Sequence, residues 1–143
     1  MFKVKDIMVT DVITTKKQTQ VYQAVAAMVE NNITGLPIIN DDGTIAGIFS
    51  EKEVLTLLYS VEDVDAKIED YMTKNPITFG PEDDIVEIID CFVKSDFHRV
   101  PIVDKGRLIG IVSRKDIIQY ILKIRKNDKL KSSLQAIHKE QNR

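Results

Sequence analysis

The chain has 143 residues, 43% of them hydrophobic and 29% charged, with a net charge of −2. That length and balance suit one compact globular domain or two small fused halves. A charge so near zero supplies no general field for nucleic acid or an anionic membrane, and the single cysteine, Cys91, excludes an internal disulfide. Neither the opening MFKVKDIMVT nor any later window has a signal-peptide core or a membrane span, so the expectation is a cytoplasmic protein.

In chain order, a short strand is predicted near 12–15 (VITT). After Thr19, the residues Val21, Ala24, Val25, Met28 and Val29 recur at the spacing of one buried helix face. LPIIN and IAGIF then flank the turn DDGT, which reads as a β-hairpin. Ser50 opens a second helix that carries Val54, Leu55, Leu57 and Leu58. The same order then returns. PITF at 76–79 is a predicted strand, and Asp83 and Asp84 are cap candidates before the helix of Ile85, Ile88, Ile89, Phe92 and Val93. VPIV and LIGIV flank DKGR, and Ser113 opens a helix with Ile117, Ile118, Ile121 and Leu122.

The return is a repeat. VKDIM at 4–8 matches IEDYM at 68–72, and GLPIIN at 35–40 matches RVPIVD at 99–104, both 64 positions apart. Past the second turn the spacing falls to 63, with Gly43 on Gly106 and Gly47 on Gly110, so one residue is missing there. The organisation is repeat 1 over 4–60, a linker over 61–67, repeat 2 over 68–124 and a basic tail over 125–143. Each repeat reads β-α-β-β-α. One such unit buries too little surface to be secure. The expected fold is therefore α/β (α+β): two repeats related by a pseudo-twofold axis, packed through their sheets around a common core as one module.

The DIM opening, the GLPIIN/RVPIVD strands and the G-I-x-S-x-K-[DE] helix start, repeated in order, resemble tandem CBS domains, the pair called a Bateman module. The resemblance covers residues 4 to about 124. It implies a regulatory module that binds adenosine nucleotides in clefts between the repeats and commonly forms a homodimer. An adenine nucleotide (AMP, ADP or ATP) would be a regulatory ligand rather than a catalytic cofactor, and an unknown protein would be the regulated partner.

Ser113-Arg114-Lys115-Asp116 has two readings. Serine at the N-cap and an acid three residues on stabilise a helix start. A carboxylate held ionised there also suits the two hydroxyls of a ribose, and the resemblance assigns Ser113 and Asp116 that role. Ser50-Glu51-Lys52-Glu53 is an S-x-x-E capping box. Glu53 is expected to fold back on the N-cap amide, and the shorter Asp116 to reach back less well and stay free for a ligand. His98 and Arg99 are either a surface pair or phosphate donors; the arginine offers a planar fork, and the first repeat has Thr34-Gly35 there. By the family's pattern the main cleft joins Val12, Ile13, Ile33 and Thr34 to Ser113 and Asp116. A second cleft joins Pro76, Ile77, Phe97, His98 and Arg99 to Ser50 and Glu53. Apolar residues there suit an adenine ring, although each also reads as strand core.

The sequence holds no P-loop, no metal-ligand set and no activating base beside Ser50 or Ser113, so no enzyme is expected. The competing function is a dimeric interaction scaffold with degenerate clefts. The tail, with Leu130, Leu134 and Ile137 at helical spacing, reads as a solvated helix or a docking helix.

Overall fold

The computed structural model of the chain describes residues 2–57, 59, 66–125 and 128–141, with the backbone alone of 128–133. Leu58, Ser60 and most of the linker, 61–65, lie outside the described residues. The first repeat runs from a 3-10 turn (Val4–Asp6) through strand β1 (Thr15–Lys16), helix α1 (Val21–Glu30), strands β2 (Gly35–Ile39) and β3 (Ile45–Ser50), and helix α2 (Glu51–Leu57). The second runs from a 3-10 turn (Ile68–Asp70) through β4 (Thr73–Lys74), α3 (Ile85–Lys94), β5 (Arg99–Asp104), β6 (Arg107–Ser113) and α4 (Arg114–Ile124). The tail forms helix α5 (Asp128–Gln141). Among the described residues no helix is long and apolar enough to cross a membrane.

The two hairpins share one register. Leu36 faces Phe49 and Ile38 faces Gly47 in the first; Val100 faces Val112 and Ile102 faces Gly110 in the second. The missing residue lies in the second turn. Lys105 and Gly106 make a two-residue connection with φ of 51° and 81°, the conformation that matches strand twist. The first turn is longer and is held by Asp42, whose carboxylate accepts from Thr44 N at 3.0 Å.

Both predicted short strands shift. Only Thr15 of 12–15 pairs, with Ile38, and only Phe79 of 76–79 forms a bridge, with Ile102. The residues that add to the neighbouring hairpin are instead Thr73–Lys74, on β3, and Val9, bridged to Ile111 of β6. Short single-sided pairing leaves little periodicity in a sequence.

The helices bury the expected stripes, with one correction. Ala24 and Met28 of α1, and Ile85, Ile88 and Phe92 of α3, are buried. Val29 and Val93, expected on the same face, are 75% and 68% exposed. Eight residues advance a helix to about 80° from the start of the stripe, its outer margin. Asp84 caps α3 by accepting from Val86 N at 3.0 Å, and Asp83 accepts from Gly80 N at 2.7 Å.

The repeats do not enclose one common core. They form two, and each is closed by the opening segment of the other repeat. Val4, fully buried, belongs to the core of Ile88, Phe92, Val100 and Ile102; Ile68 belongs to that of Met28, Leu36 and Phe49. The backbone bonds match: Val4 N donates to Asp83 O, and Ile68 N to Thr19 O, both at 2.9 Å. Met8 lies against Gly110 and Met72 against Gly47, where a β-carbon would stand 2.8 Å from either sulfur. The two hairpin turns also bond each other, Leu108 N to Gly43 O at 3.0 Å and Ile45 N to Gly106 O at 3.3 Å. This reciprocal pair marks the pseudo-twofold axis.

Helix α5 is less solvated than expected. Leu134 and Ile137 are half-buried and, with Phe2, Ile121 and Ile124, line a cavity of about 330 Å³. The side chain of Leu130 lies outside the described residues.

Candidate functional site

Strand β6 ends at Ser113 in extended backbone, which frees its hydroxyl to accept from Asp116 N at 3.1 Å. Asp116 replies through Oδ2, which accepts from Ser113 N at 2.9 Å. The expectation that aspartate reaches back less well than glutamate is therefore corrected. The corresponding bond from Ser50 N to Glu53 Oε2 is longer, 3.2 Å. The extra methylene of Glu53 acts elsewhere. It carries Oε1 out to the hydroxyl of Thr73, while Oε2 also accepts from the Ser50 hydroxyl. Both Glu53 oxygens are engaged. The repeat places Val9, which has no hydroxyl, where Thr73 would stand beside Asp116. Among the described residues, the Asp116 carboxylate hydrogen-bonds through Oδ2 alone.

Arg99 opens β5 beside the pseudo-twofold axis. Its Nη2 donates to Thr34 Oγ1 at 2.7 Å, and its Cδ stands 2.9 Å from where a β-carbon on Gly35 would be. Gly35 is the repeat counterpart of Arg99, so the missing side chain of one makes room for the other. Arg99 Nε is buried and has no hydrogen-bond partner among the described residues. Burial pushes the guanidinium pKa down, and the carboxylates of Asp116 and Glu51 oppose that shift.

His98 is exposed, and its carbonyl accepts from Arg114 N at 2.9 Å; in the first repeat Thr34 O accepts from Glu51 N at 3.1 Å. Arg114 went unnoticed in the sequence, where it reads as an ordinary charged residue at a helix start. Its guanidinium donates to the carbonyls of Phe97 at 2.5 Å, Ser95 at 2.7 Å and Phe92 at 3.1 Å, and so fixes the loop that presents His98.

Six residues of the second cleft, Ser50, Glu53, Ile77, Phe97, His98 and Arg99, line one cavity of about 940 Å³ together with Pro76. Thr34, assigned to the main cleft, lines it too. Ile77 and Phe97 are 51% and 40% exposed, so they are not buried core. Of the main-cleft set, Thr34 is joined to Arg99, and Arg99 lies in the field of Asp116. Val12 is half-buried, Ile13 is 39% exposed, and Ile33 packs against the first core. No hydrogen bond among the described residues ties Val12, Ile13 or Ile33 to Ser113 or Asp116 side chains. Among the described residues there is no cluster of three or more metal-ligand side chains.

The family model for the CBS domain matches residues 4–60 and again 68–123. Protein MJ1225 of Methanocaldococcus jannaschii is 30% identical over 118 residues, which are 82% of this chain; the chain spans 42% of the length of that relative. The crystal structure of CBSX2 of Arabidopsis thaliana in complex with AMP superposes with a TM-score of 0.81 at 29% identity, covering 87% of this chain and 99% of that one. The CBS domain pair of MJ0100, in complex with 5′-methylthioadenosine and S-adenosyl-L-methionine, gives 0.76 at 28% identity, covering 85% and 96%. With two tandem matches across most of its length, and with the exchanged, pseudo-twofold architecture described above, this chain belongs to the CBS domain family.

Proposed function

We propose that this chain is a regulatory CBS pair that binds an adenosine-containing ligand between its repeats and signals its occupancy to a partner protein. The observation that carries the reading is the cavity of about 940 Å³, which gathers a helix-start acid, apolar residues and the His98-Arg99 pair. A ligand site needs this combination: apolar walls for a ring and few, well-placed polar groups for orientation. The relatives with bound AMP, 5′-methylthioadenosine and S-adenosyl-L-methionine support an adenosine core as the common feature.

Within this reading, Asp116 is the stronger ribose acid because one of its oxygens is spare. Val12, Ile13, Ile33 and Thr34 complete its cleft by the pseudo-twofold relation to Pro76, Ile77, Phe97 and His98. The partner copy is a second chain. Val29 and Val93, and Leu55 and Ile118, are repeat counterparts, and all four are exposed. Two matching apolar faces suit a twofold homodimer.

One observation favours the scaffold reading for the cavity on the Glu53 side: that acid is already spent on Ser50 and Thr73. A melting panel with adenosine, AMP, ADP, ATP, 5′-methylthioadenosine and S-adenosyl-L-methionine separates the readings, because a ligand of the folded state raises its stability. A rise with at least one is expected. No rise with any of them, at millimolar concentration, leaves the scaffold.

A further inference from the structure

The cavity beneath α5 is separate from the one on the Glu53 side; the two have no lining residue in common. Four parts of the chain meet around it: the opening segment with Phe2, α3 with Ile89, the end of α4 with Tyr120 and Ile121, and α5 with Leu134 and Ile137. Repeat counterparts show how the second repeat makes the space. In the first repeat Ala66 and Leu57 are buried, at 8% and 4% exposure. The larger Phe2 and Tyr120 in their places are only half-buried, and they meet edge to face with ring centroids 5.6 Å apart. Interiors are packed densely, and voids larger than a water are few. This one, about 330 Å³, has room for about eleven atoms of a water's size. Its mainly hydrocarbon walls offer water few hydrogen-bond partners.

We propose that this cavity is a second ligand site, for a neutral and largely hydrocarbon molecule of that size, and that its occupant holds α5 against the second repeat. The volume lies in the range of ligand pockets, about 300–1,000 Å³, and the lining has their character: hydrophobic and aromatic, with few polar groups. A hydrocarbon occupant gives the lining side chains the close contacts that an open space denies them. The two charged side chains at the cavity, Asp84 and Glu140, are both acids, so they disfavour an anion and leave a neutral molecule unaffected. Because α5 contributes part of the wall, one molecule touches α5, α3 and α4 together. The docking of the C-terminal helix then depends on a ligand unrelated to the nucleotide cavity.

Methyl NMR on the full chain, titrated with n-octanol, tests this. Saturable shifts are expected at Ile89, Ile121, Leu134 and Ile137, with a Kd of about a millimolar or tighter. Amide protection over 134–141 should rise with them. Octanoate, the anionic relative, is expected to bind at least about tenfold more weakly. Ala136→Trp fills the cavity from an exposed helix position, so it should spare the fold and weaken octanol binding at least about tenfold. Adenosine in the same sample should leave the octanol titration unchanged. Absence of saturable shifts up to the solubility of octanol overturns the site, as does octanol binding that survives Ala136→Trp or is displaced by adenosine. Equal affinity for octanoate overturns the neutral class of ligand, and binding without a rise in α5 protection overturns the coupling to α5.

Discussion

The Thr73 hydroxyl donates to Glu53 across the boundary between the two repeats. It ties β4, which opens the second repeat, to the start of α2 in the first, and it occupies an acid that the ligand reading would otherwise need. Thr73→Val keeps the shape and removes the donor. The expected outcome is a modest loss of stability, about 0.5–1 kcal/mol by urea unfolding. Adenosine affinity on the Glu53 side should rise in calorimetry. Unchanged affinity would show that Glu53 faces no ribose.

Asp116 serves both as half of a capping box and as the proposed ribose acid. Asp116→Ala is expected to cost the fold about 0.5–1 kcal/mol, because Ser113 still caps. Binding should suffer more, with the tighter adenosine site weakened by about ten- to a hundredfold. If Asp116→Ala binds as the wild type does while Glu53→Ala does not bind, the working cleft is the other one.

The glycines under the two methionines differ in what surrounds them. A β-carbon at Gly47 would stand 2.6 Å from Thr73 O as well as 2.8 Å from Met72 Sδ. At Gly110 the closest atom is Met8 Sδ, at 2.8 Å, and Val9 O is 3.1 Å away. A thioether moves more easily than a paired strand. Gly47→Ala should therefore cost about 2–3 kcal/mol and Gly110→Ala about 1 kcal/mol less, read from denaturant midpoints. Equal costs would mean that β4 yields as easily as a side chain.

Acid should loosen the opening segment. Lys3, then Lys5, holds the Glu82 carboxylate pKa down at about 2, from an ordinary 4.5. A depressed acid contributes stability that is present above its unfolded pKa and lost as pH falls through the folded one. The window is therefore from about pH 4.5 to about pH 2. Protection of the Val4 and Lys5 amides relative to their intrinsic exchange rates should fall across that window, and Glu82→Gln should flatten the dependence. These groups are exposed, so the effect should shrink in high salt.

The proposed homodimer rests on the exposed counterparts Leu55 and Ile118. Leu55→Glu with Ile118→Glu places like charges on a matched apolar face. Light scattering at micromolar concentration should show a dimer for the wild type and a monomer for the double variant. A wild-type monomer removes this part of the reading.

Much of the fold was legible in the sequence because repetition does what periodicity alone cannot. The step from 64 to 63 located the hairpin turn that the structure places at Lys105–Gly106. Helix faces followed from spacing, apart from Val29 and Val93 at the margin. The exchange of opening segments was not legible. Val4 and Ile68 look alike in sequence, and nothing local says which core each enters. The candidate site was legible as a set of residue types. What escaped was which atoms are free. Whether Asp116 or Glu53 has a spare oxygen is decided by residues of the other repeat, 20 or more positions away in sequence, Val9 and Thr73.

The reciprocal closing of the two cores fixes how the halves depend on each other. Cut within 61–65, the chain would yield fragments that each carry the lid of the other and lack their own. Neither is a complete folding unit, yet together they hold every part, so fragment complementation should depend steeply on concentration. The covalent connection between the repeats replaces that encounter with an intramolecular one, at an effective concentration of about millimolar. The same geometry describes a route by which such a protein arises: two copies of one short chain that trade their first residues across a twofold, later fused end to end, with asymmetries such as Arg99 opposite Gly35 acquired once each half could vary alone.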